Sequence, residues 1–315
     1  MPDAPAWLPS AALQSVSCRW LQRAGVELAL LRLDRIDPLI SGNKWYKLAP
    51  HIAEARRLEA PGLISLGGAH SNHLHALAAA GARFGFATAG LLRGHEVDTP
   101  TVRDLRAFGM HLHWLGYGGY RERHRADFWM PWRERYPGWL PVAEGGLGQA
   151  AVHSCASLVG MIERGLAGLG WPDYHQLWAA VGSGTTLAGL VLGEAGRHPV
   201  VGALAVPADH GVAAQLARLL TDCGLAADTG YRLLDASRGG FARLDGELAR
   251  LLLDFEDETG VPLEPLYTGK LLLALRETLE RGEIAPGSRI VAVHSGGLQG
   301  RRALQARLLQ LYRAG

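Results

Sequence analysis

Two hydrophobic periods alternate along the chain. Apolar runs of strand length occur at residues 26–33, 63–66, 86–92 and 110–115, and helical spacing follows at 48–58, 71–82 and 101–108. The rhythm returns with strands at 175–181, 200–206 and 289–293 and helices at 185–192, 212–220 and 298–311. Strands alternating with helices of these lengths predict βαβ units, hence parallel sheets covered on both faces. No fixed-period repeat interrupts the pattern, and no linker marks a flexible boundary.

Glycine turns fall where predicted strands give way to predicted helices, and polar chemistry collects there. In Ser41-Gly42-Asn43-Lys44-Trp45-Tyr46-Lys47-Leu48, one lysine follows a glycine-asparagine turn at a helix start. A partly buried lysine amine is the group that condenses with an aldehyde cofactor, although a lysine in this setting alone most often points at solvent. Gly67-Gly68-Ala69-His70-Ser71-Asn72-His73 places polar side chains at another helix start, where free N–H groups suit an anion. Ser71 or Asn72 serves equally well there as a plain N-cap.

Val181-Gly182-Ser183-Gly184-Thr185-Thr186 repeats the strand–turn–helix setting and suits a phosphate. It has neither the lysine of a Walker A loop nor a full GxGxxG. Leu266-Tyr267-Thr268-Gly269-Lys270 and Val293-His294-Ser295-Gly296-Gly297 read by themselves as loops, with Tyr267 a buried aromatic. His70, His73 and His75 have no carboxylate or thiolate close in sequence, so no metal is expected.

Composition narrows the class. The 315 residues are 48% hydrophobic and 20% charged, an ordinary globular balance with room for one large domain or two modest ones. A net charge of +2 is no nucleic-acid footprint. Cys18, Cys155 and Cys223 are odd in number and far apart, which argues against a disulfide framework and for a reducing compartment. The opening MPDAPAWLPSAALQ lacks the basic and apolar regions of a signal peptide, and no run approaches a membrane span. The chain reads as soluble and cytoplasmic. Residues 121–139 interleave arginine with tryptophan, but the acidic residues among them favour a solvated amphipathic face or a subunit contact.

The five stretches, in this order, resemble the 1-aminocyclopropane-1-carboxylate deaminase/D-cysteine desulfhydrase family. SGNKWYKL is similar to its GNK-x-x-KL, GGAHSNH to its GG-x-x-SN-[HQ], VGSGTTLAGL to its phosphate loop, EPLYTGK to its DP-V-Y-x-GK and VHSGG to its H-T-G-G. The resemblance implies a two-domain α/β fold of the tryptophan-synthase-β-like type (fold type II) with pyridoxal 5′-phosphate (PLP) as cofactor. Residues 1–47 with 156–315 would form the large PLP-binding domain and 48–155 a smaller inserted one. A homodimer acting on a small amino acid would follow, with no nucleic acid, membrane or metal involved.

By position, Lys44 would be the Schiff-base lysine and Asn72 the partner of the PLP O3′. Ser71, Asn72 and His73 would hold the substrate carboxylate, with Ser71 also near the reacting centre. Gly182, Ser183, Gly184, Thr185 and Thr186 would cradle the phosphate, assisted by Lys47. Tyr267 would stand over the substrate as a phenol tuned towards neutral pH, and Thr268 or Ser295 would face the pyridine nitrogen. Ring-opening members carry a glutamate after the tyrosine and a second tyrosine, where this chain has Thr268 and Phe241. The expected reaction is therefore α,β-elimination from D-cysteine or a related D-amino acid, giving pyruvate, ammonia and sulfide. The alternatives are 1-aminocyclopropane-1-carboxylate deaminase, a nucleotide-binding oxidoreductase and a catalytically silent PLP-binding protein. The histidines at 70 and 75 stand where glutamine and arginine are usual, which bears on the substrate.

Overall fold

The strand-length runs pair into two separate sheets in the computed structural model, which describes residues 9–314. Most of the amino-terminal stretch read for a leader lies outside the described residues. The strands are β1 (Leu13–Val16), β2 (Glu27–Arg32), β3 (Gly62–Gly67), β4 (Ala87–Leu92), β5 (His111–Trp114), β6 (Leu140–Pro141), β7 (Gln176–Val181), β8 (Val200–Leu204), β9 (Tyr231–Asp235) and β10 (Arg289–His294). Among the described residues the α-helices are α1 (Arg19–Ala24), α2 (Lys44–Arg57), α3 (Asn72–Phe84), α4 (Pro100–Ala107), α5 (Gly116–Arg121), α6 (Met130–Arg135), α7 (Gln149–Leu166), α8 (Thr185–Glu194), α9 (Val212–Asp222), α10 (Gly246–Thr259), α11 (Thr268–Glu280), α12 (Leu298–Arg301) and α13 (Gln305–Arg313).

The larger sheet has the order β1-β2-β10-β7-β8-β9 and is parallel except where β1 runs antiparallel to β2. The smaller sheet, β5-β4-β3-β6, is parallel throughout. Strands β3, β8 and β10 are buried along nearly their whole length, the signature of a sheet covered on both sides. On one face of the larger sheet Leu187 and Leu190 of α8 pack with Leu158 of α7 and Leu216 of α9. On the other, Leu271 and Leu275 of α11 pack with Leu252 of α10 and Leu21 of α1.

That division places the site. The chain leaves β7 through α8 on one face and returns to β10 through α11 on the other, so the strand order reverses between neighbours β7 and β10. The crevice beyond the carboxyl ends of strands at such a reversal is where open α/β sheets bind ligands. Gly182 and Ser295, from the sequence-predicted stretches, follow β7 and β10 directly.

Two expectations change and one holds. The helix expected from residue 48 begins at Lys44, so the lysine is its first residue; Pro50 costs one backbone bond inside it while Leu48, Ile52 and Ala55 stay packed. The final helix is two, because α12 faces the crevice while Leu308 and Leu311 of α13 dock against the α10 layer. Residues 121–139 form an amphipathic face, as expected: Arg121, Arg125, Asp127, Arg133 and Glu134 are exposed, while Phe128, Trp129, Trp132, Tyr136 and Trp139 cover Ile64, Leu66, Ala89 and Leu91 of the smaller sheet.

The turn before α2 is stitched to the end of β10. Asn43 N donates to the Ser295 carbonyl at 3.1 Å and Gly42 N to that of Leu33 at 3.0 Å. Gly42 has φ +76°, and a Cβ there would sit 1.9 Å from the Ser295 oxygen. Gly109 has a similar φ of +78° with nothing within 4 Å. Gly109→Ala should cost only the left-handed backbone strain, about 1–3 kcal/mol. Gly42→Ala should cost clearly more in urea unfolding; equal losses would mean that the contact with Ser295 does not require glycine.

Candidate active site

Lys44 opens α2 with its amine turned into the crevice. Its Nζ donates to Asn43 Oδ1 at 2.9 Å and lies 5.9 Å from the centre of the Tyr267 ring. Burial, and then the charge of Lys47, bring its pKa from 10.5 down to about 7. Lys47, one helical turn further, is also lowered by burial, and its Nζ donates to Ser183 Oγ at 3.2 Å. The chain has only three lysines, Lys44, Lys47 and Lys270, among 32 basic residues, and none of them is exposed.

Around Ser183 the donors converge. Asn43 Nδ2 donates to Thr186 Oγ1 at 2.8 Å, Ser183 Oγ and Thr185 Oγ1 lie 3.2 Å apart, and Gln215 Nε2 holds the Ser183 carbonyl at 2.6 Å. Gly184 turns the chain at φ +80° into α8, whose first intrahelical bond runs from Ala188 N to Gly184 O. The amides before Ala188 thus lie free at the positive end of the helix. Hydroxyls, helix amides and a lysine on one side, with a second lysine poised near neutrality beyond them, form a donor set that fits a phosphate ester carrying an aldehyde.

The opposite wall comes from the smaller sheet. Ser71 caps α3, its Oγ accepting from Leu74 N at 3.1 Å, so the N-cap reading holds and the hydroxyl proton is still free to donate. Asn72 Oδ1 accepts from Gln299 Nε2 of α12 at 3.0 Å, and the lack of a Cβ at Gly297, which would come 2.6 Å from Nδ2, leaves that amide room. Gln299 therefore fixes which way the Asn72 amide faces. The sequence reading missed it, although it stands two residues past the VHSGG stretch.

His73 is used differently from expectation. Its Nε2 lies 2.8 Å from Ser65 Oγ, whose own proton goes to the Val142 carbonyl, so Nε2–H donates and Nδ1 is left as a bare acceptor. Burial, with the charges of Lys44 and Lys47, holds the ring well below its usual pKa and keeps it neutral. A ring in this tautomer does not donate to a carboxylate; only the His73 backbone N–H remains for that. His75 Nε2 lies 3.1 Å from Asp104 Oδ2, which also pairs with Arg302, and His70 is exposed. Among the described residues no cluster fit for a metal ion occurs.

The Tyr267 ring rests on the backbone of Gly182, where a Cβ would come within 3.0 Å of Cε1. Burial, then Glu264 and Glu144, push the phenol up, the reverse of the tuning towards neutral pH expected from sequence. Tyr267 stays protonated. Phe241 stands edge-on to it, with 5.5 Å between ring centres. Thr268 is a second correction. Its hydroxyl accepts from Glu264 N at 2.8 Å and donates to Glu264 O at 3.0 Å, closing the turn before α11, so its proton is not available to a cofactor ring. Of the two hydroxyls considered for that place, Ser295 is the one left.

Glu264 itself went unread although it lies in the quoted EPLYTGK. Its two carboxylate oxygens accept from Leu266 N at 2.8 Å and Tyr267 N at 2.7 Å, and burial raises its pKa to about 7 despite those bonds and Lys44. His294, equally unread, donates from Nε2 to the Pro262 carbonyl at 2.8 Å and accepts from Gly296 N at 3.3 Å. It braces the turn that carries Ser295.

A family model described as pyridoxal-phosphate dependent enzyme matches residues 12–296, and the chain belongs to that family. It is 28% identical over 299 residues to the Arabidopsis thaliana mitochondrial bifunctional D-cysteine desulfhydrase/1-aminocyclopropane-1-carboxylate deaminase, covering 88% of this chain and 73% of that protein. It is 27% identical over 321 residues to a Burkholderia multivorans 1-aminocyclopropane-1-carboxylate deaminase, covering 89% of each. A crystal structure of an ACC deaminase homologue superposes with a TM-score of 0.83 at 23% identity, over 98% of this chain and 96% of the other. The chain is thus a PLP-dependent enzyme of fold type II with relatives named as deaminases and as a desulfhydrase/deaminase, and the oxidoreductase alternative falls away. Among the described residues no helix is long and apolar enough to cross a membrane.

A lysine with a pKa of about 7 is mostly neutral above that pH and protonated below it. The cofactor-free protein should react with pyridoxal, which lacks the phosphate, at a rate that rises with pH and levels off above about 7. Lys47→Met removes a neighbouring positive charge and should move that midpoint upwards. A rate still climbing towards pH 10 in the unaltered protein would show an ordinary exposed amine.

Proposed function

We propose that this enzyme carries out α,β-elimination on D-cysteine or a closely related D-amino acid. Water is consumed, and pyruvate, ammonia and hydrogen sulfide are released. When bound, PLP supplies the electron sink that stabilises negative charge on the substrate α-carbon. In this reading Lys44 holds the cofactor, Lys47 and residues 182–186 hold its phosphate, Asn72 Nδ2 meets its ring oxygen and Ser295 faces its ring nitrogen. The Ser71 hydroxyl, Asn72 and the His73 N–H take the substrate carboxylate at the start of α3. The separate sheets support dividing the chain into 1–47 with 156–315 and 48–155 around the cleft.

The proton steps follow from the environments. Lys44, mostly neutral above pH 7, takes the proton from the α-carbon, and the carbon–sulfur bond then breaks with its electron pair leaving on sulfur. Tyr267, held protonated, orients that sulfur by donating a hydrogen bond. One observation carries the choice of elimination over ring opening: the ring beside Tyr267 is Phe241, which brings no hydroxyl, and the Thr268 hydroxyl is bound to the turn. Opening a cyclopropane needs a further acid or nucleophile at the ring carbons, whereas a thiolate leaves readily.

The Arabidopsis relative's name pairs the two activities and the Burkholderia relative's gives only the deaminase, so the test is a direct comparison. A panel of D- and L-amino acids with 1-aminocyclopropane-1-carboxylate, assayed for keto acid and ammonia, should give D-cysteine the highest kcat/KM. Equal or faster turnover of the cyclopropane would replace this reading with deaminase activity, and no turnover at all would leave a PLP-binding protein without catalysis. Tyr267→Phe should lower kcat on D-cysteine by roughly 10–100-fold, at or below the usual range for losing a proton donor. A kcat within twofold of the unaltered enzyme would remove Tyr267 from the mechanism.

A further inference from the structure

Lys270 sits three residues beyond Tyr267 in α11 and is 1% exposed. Its Nζ lies 2.8 Å from each of the carbonyl oxygens of Ser237, Gly240 and Phe241, and 3.2 Å from that of Ala205. Ala205 directly follows β8, and the other three belong to the loop after β9. An ammonium has only three protons, so four carbonyls at this range are gathered by its charge as much as by hydrogen bonds. Converging carbonyl dipoles of this kind also replace the hydration shell of a monovalent cation. Burial draws the Lys270 pKa down to about 8, which leaves it charged at neutral pH.

The loop so gathered does not hold its shape by local preference. Arg238 adopts φ +58°, in the left-handed region that disfavours side chains. From outside, its guanidinium is tied to Asp245 at 2.7 Å, Glu247 at 2.8 Å and Glu277 at 2.9 Å. From inside, the tie is Lys270. The loop also carries Phe241, whose ring meets Tyr267, before it reaches α10 at Gly246. A planar guanidinium does not fit among four oxygens arranged round a point, which accounts for lysine here in a chain with only three lysines among 32 basic residues.

We propose that Lys270 is a built-in cation that positions the 237–241 loop and sets Phe241 against Tyr267, and that the same carbonyl cage accepts a potassium or ammonium ion once the side chain is cut back. Lys270 is a positioning residue, acting through Phe241 rather than on the reacting atoms. Only the substrate-binding readout below rests on the proposed elimination.

The test uses Lys270→Ala with PLP bound, in potassium, ammonium or choline chloride at equal ionic strength. Trypsin cleavage after Arg238 and Arg243 reports the loop. In choline, cleavage should run at least roughly tenfold faster than in the unaltered enzyme, since it follows the opened population. Potassium or ammonium should restore protection saturably, while the unaltered enzyme responds to neither. KM for D-cysteine should rise more than kcat falls, and potassium should bring it back. Equal cleavage in potassium, ammonium and choline would overturn the cage. Should the alanine variant not fold in any salt, Lys270→Met, which keeps the stem without the charge, decides: faster cleavage that no cation rescues supports the proposal, and unaltered cleavage overturns it. Cleavage needs no turnover, so failure of the proposed reaction and failure of this proposal are told apart.

Discussion

The contact of Gly42 with the Ser295 carbonyl determines where the reactive amine stands. Because no Cβ intervenes, the turn lies against the end of β10, and α2 starts at Lys44 directly over the crevice. From there the helix repeat sets Lys47 one turn further, towards Ser183 and the start of α8. Two amines are thereby held together out of water; burial disfavours the charge on both, and the charge of Lys47 disfavours it further on Lys44. The arrangement is poised for a ligand with an anion at one end and an electrophile at the other: the anion offsets the charge of Lys47 while Lys44 stays neutral enough to react.

The smaller sheet supplies the facing wall through polar contacts that cross between the two layers. Gln299 fixes the Asn72 amide, Arg302 reaches Asp104, and Arg83 of α3 pairs with Asp37 just before the Lys44 turn. Pairs with an exposed partner contribute little stability each. Their value lies in geometry, since they set how α3 is presented to the crevice. The apolar cores stay separate on either side of the cleft.

Most of the architecture was legible because strands buried on both faces read as continuous apolar runs, with glycine turns marking their ends. The short strands β1, β6 and β9 and the helices α7, α10 and α11 went unread, the strands because they are brief or half-buried. The five stretches drew the right segments together, yet the direction of a side chain within a turn was not legible. Thr268 looked like a group facing the cofactor and instead closes its own turn, while Glu264, four residues earlier in the same stretch, is a buried carboxyl whose pKa burial raises to about 7. The amphipathic face at 121–139 was legible from its interleaved charges and aromatics, but nothing in sequence says which sheet face lies beneath the rings. A plainer signal was available in the scarcity of lysine: with three in the whole chain, each deserved to be asked what arginine could not do in its place.

The central claim is that Lys44 is the lysine bonded to the cofactor, and the small number of lysines makes it simple to test. Borohydride reduction of the PLP-loaded enzyme, followed by peptide mapping, should place the pyridoxyl label on Lys44 and leave the peptides containing Lys47 and Lys270 unlabelled. A label on either of those two, or on no lysine, would contradict the account.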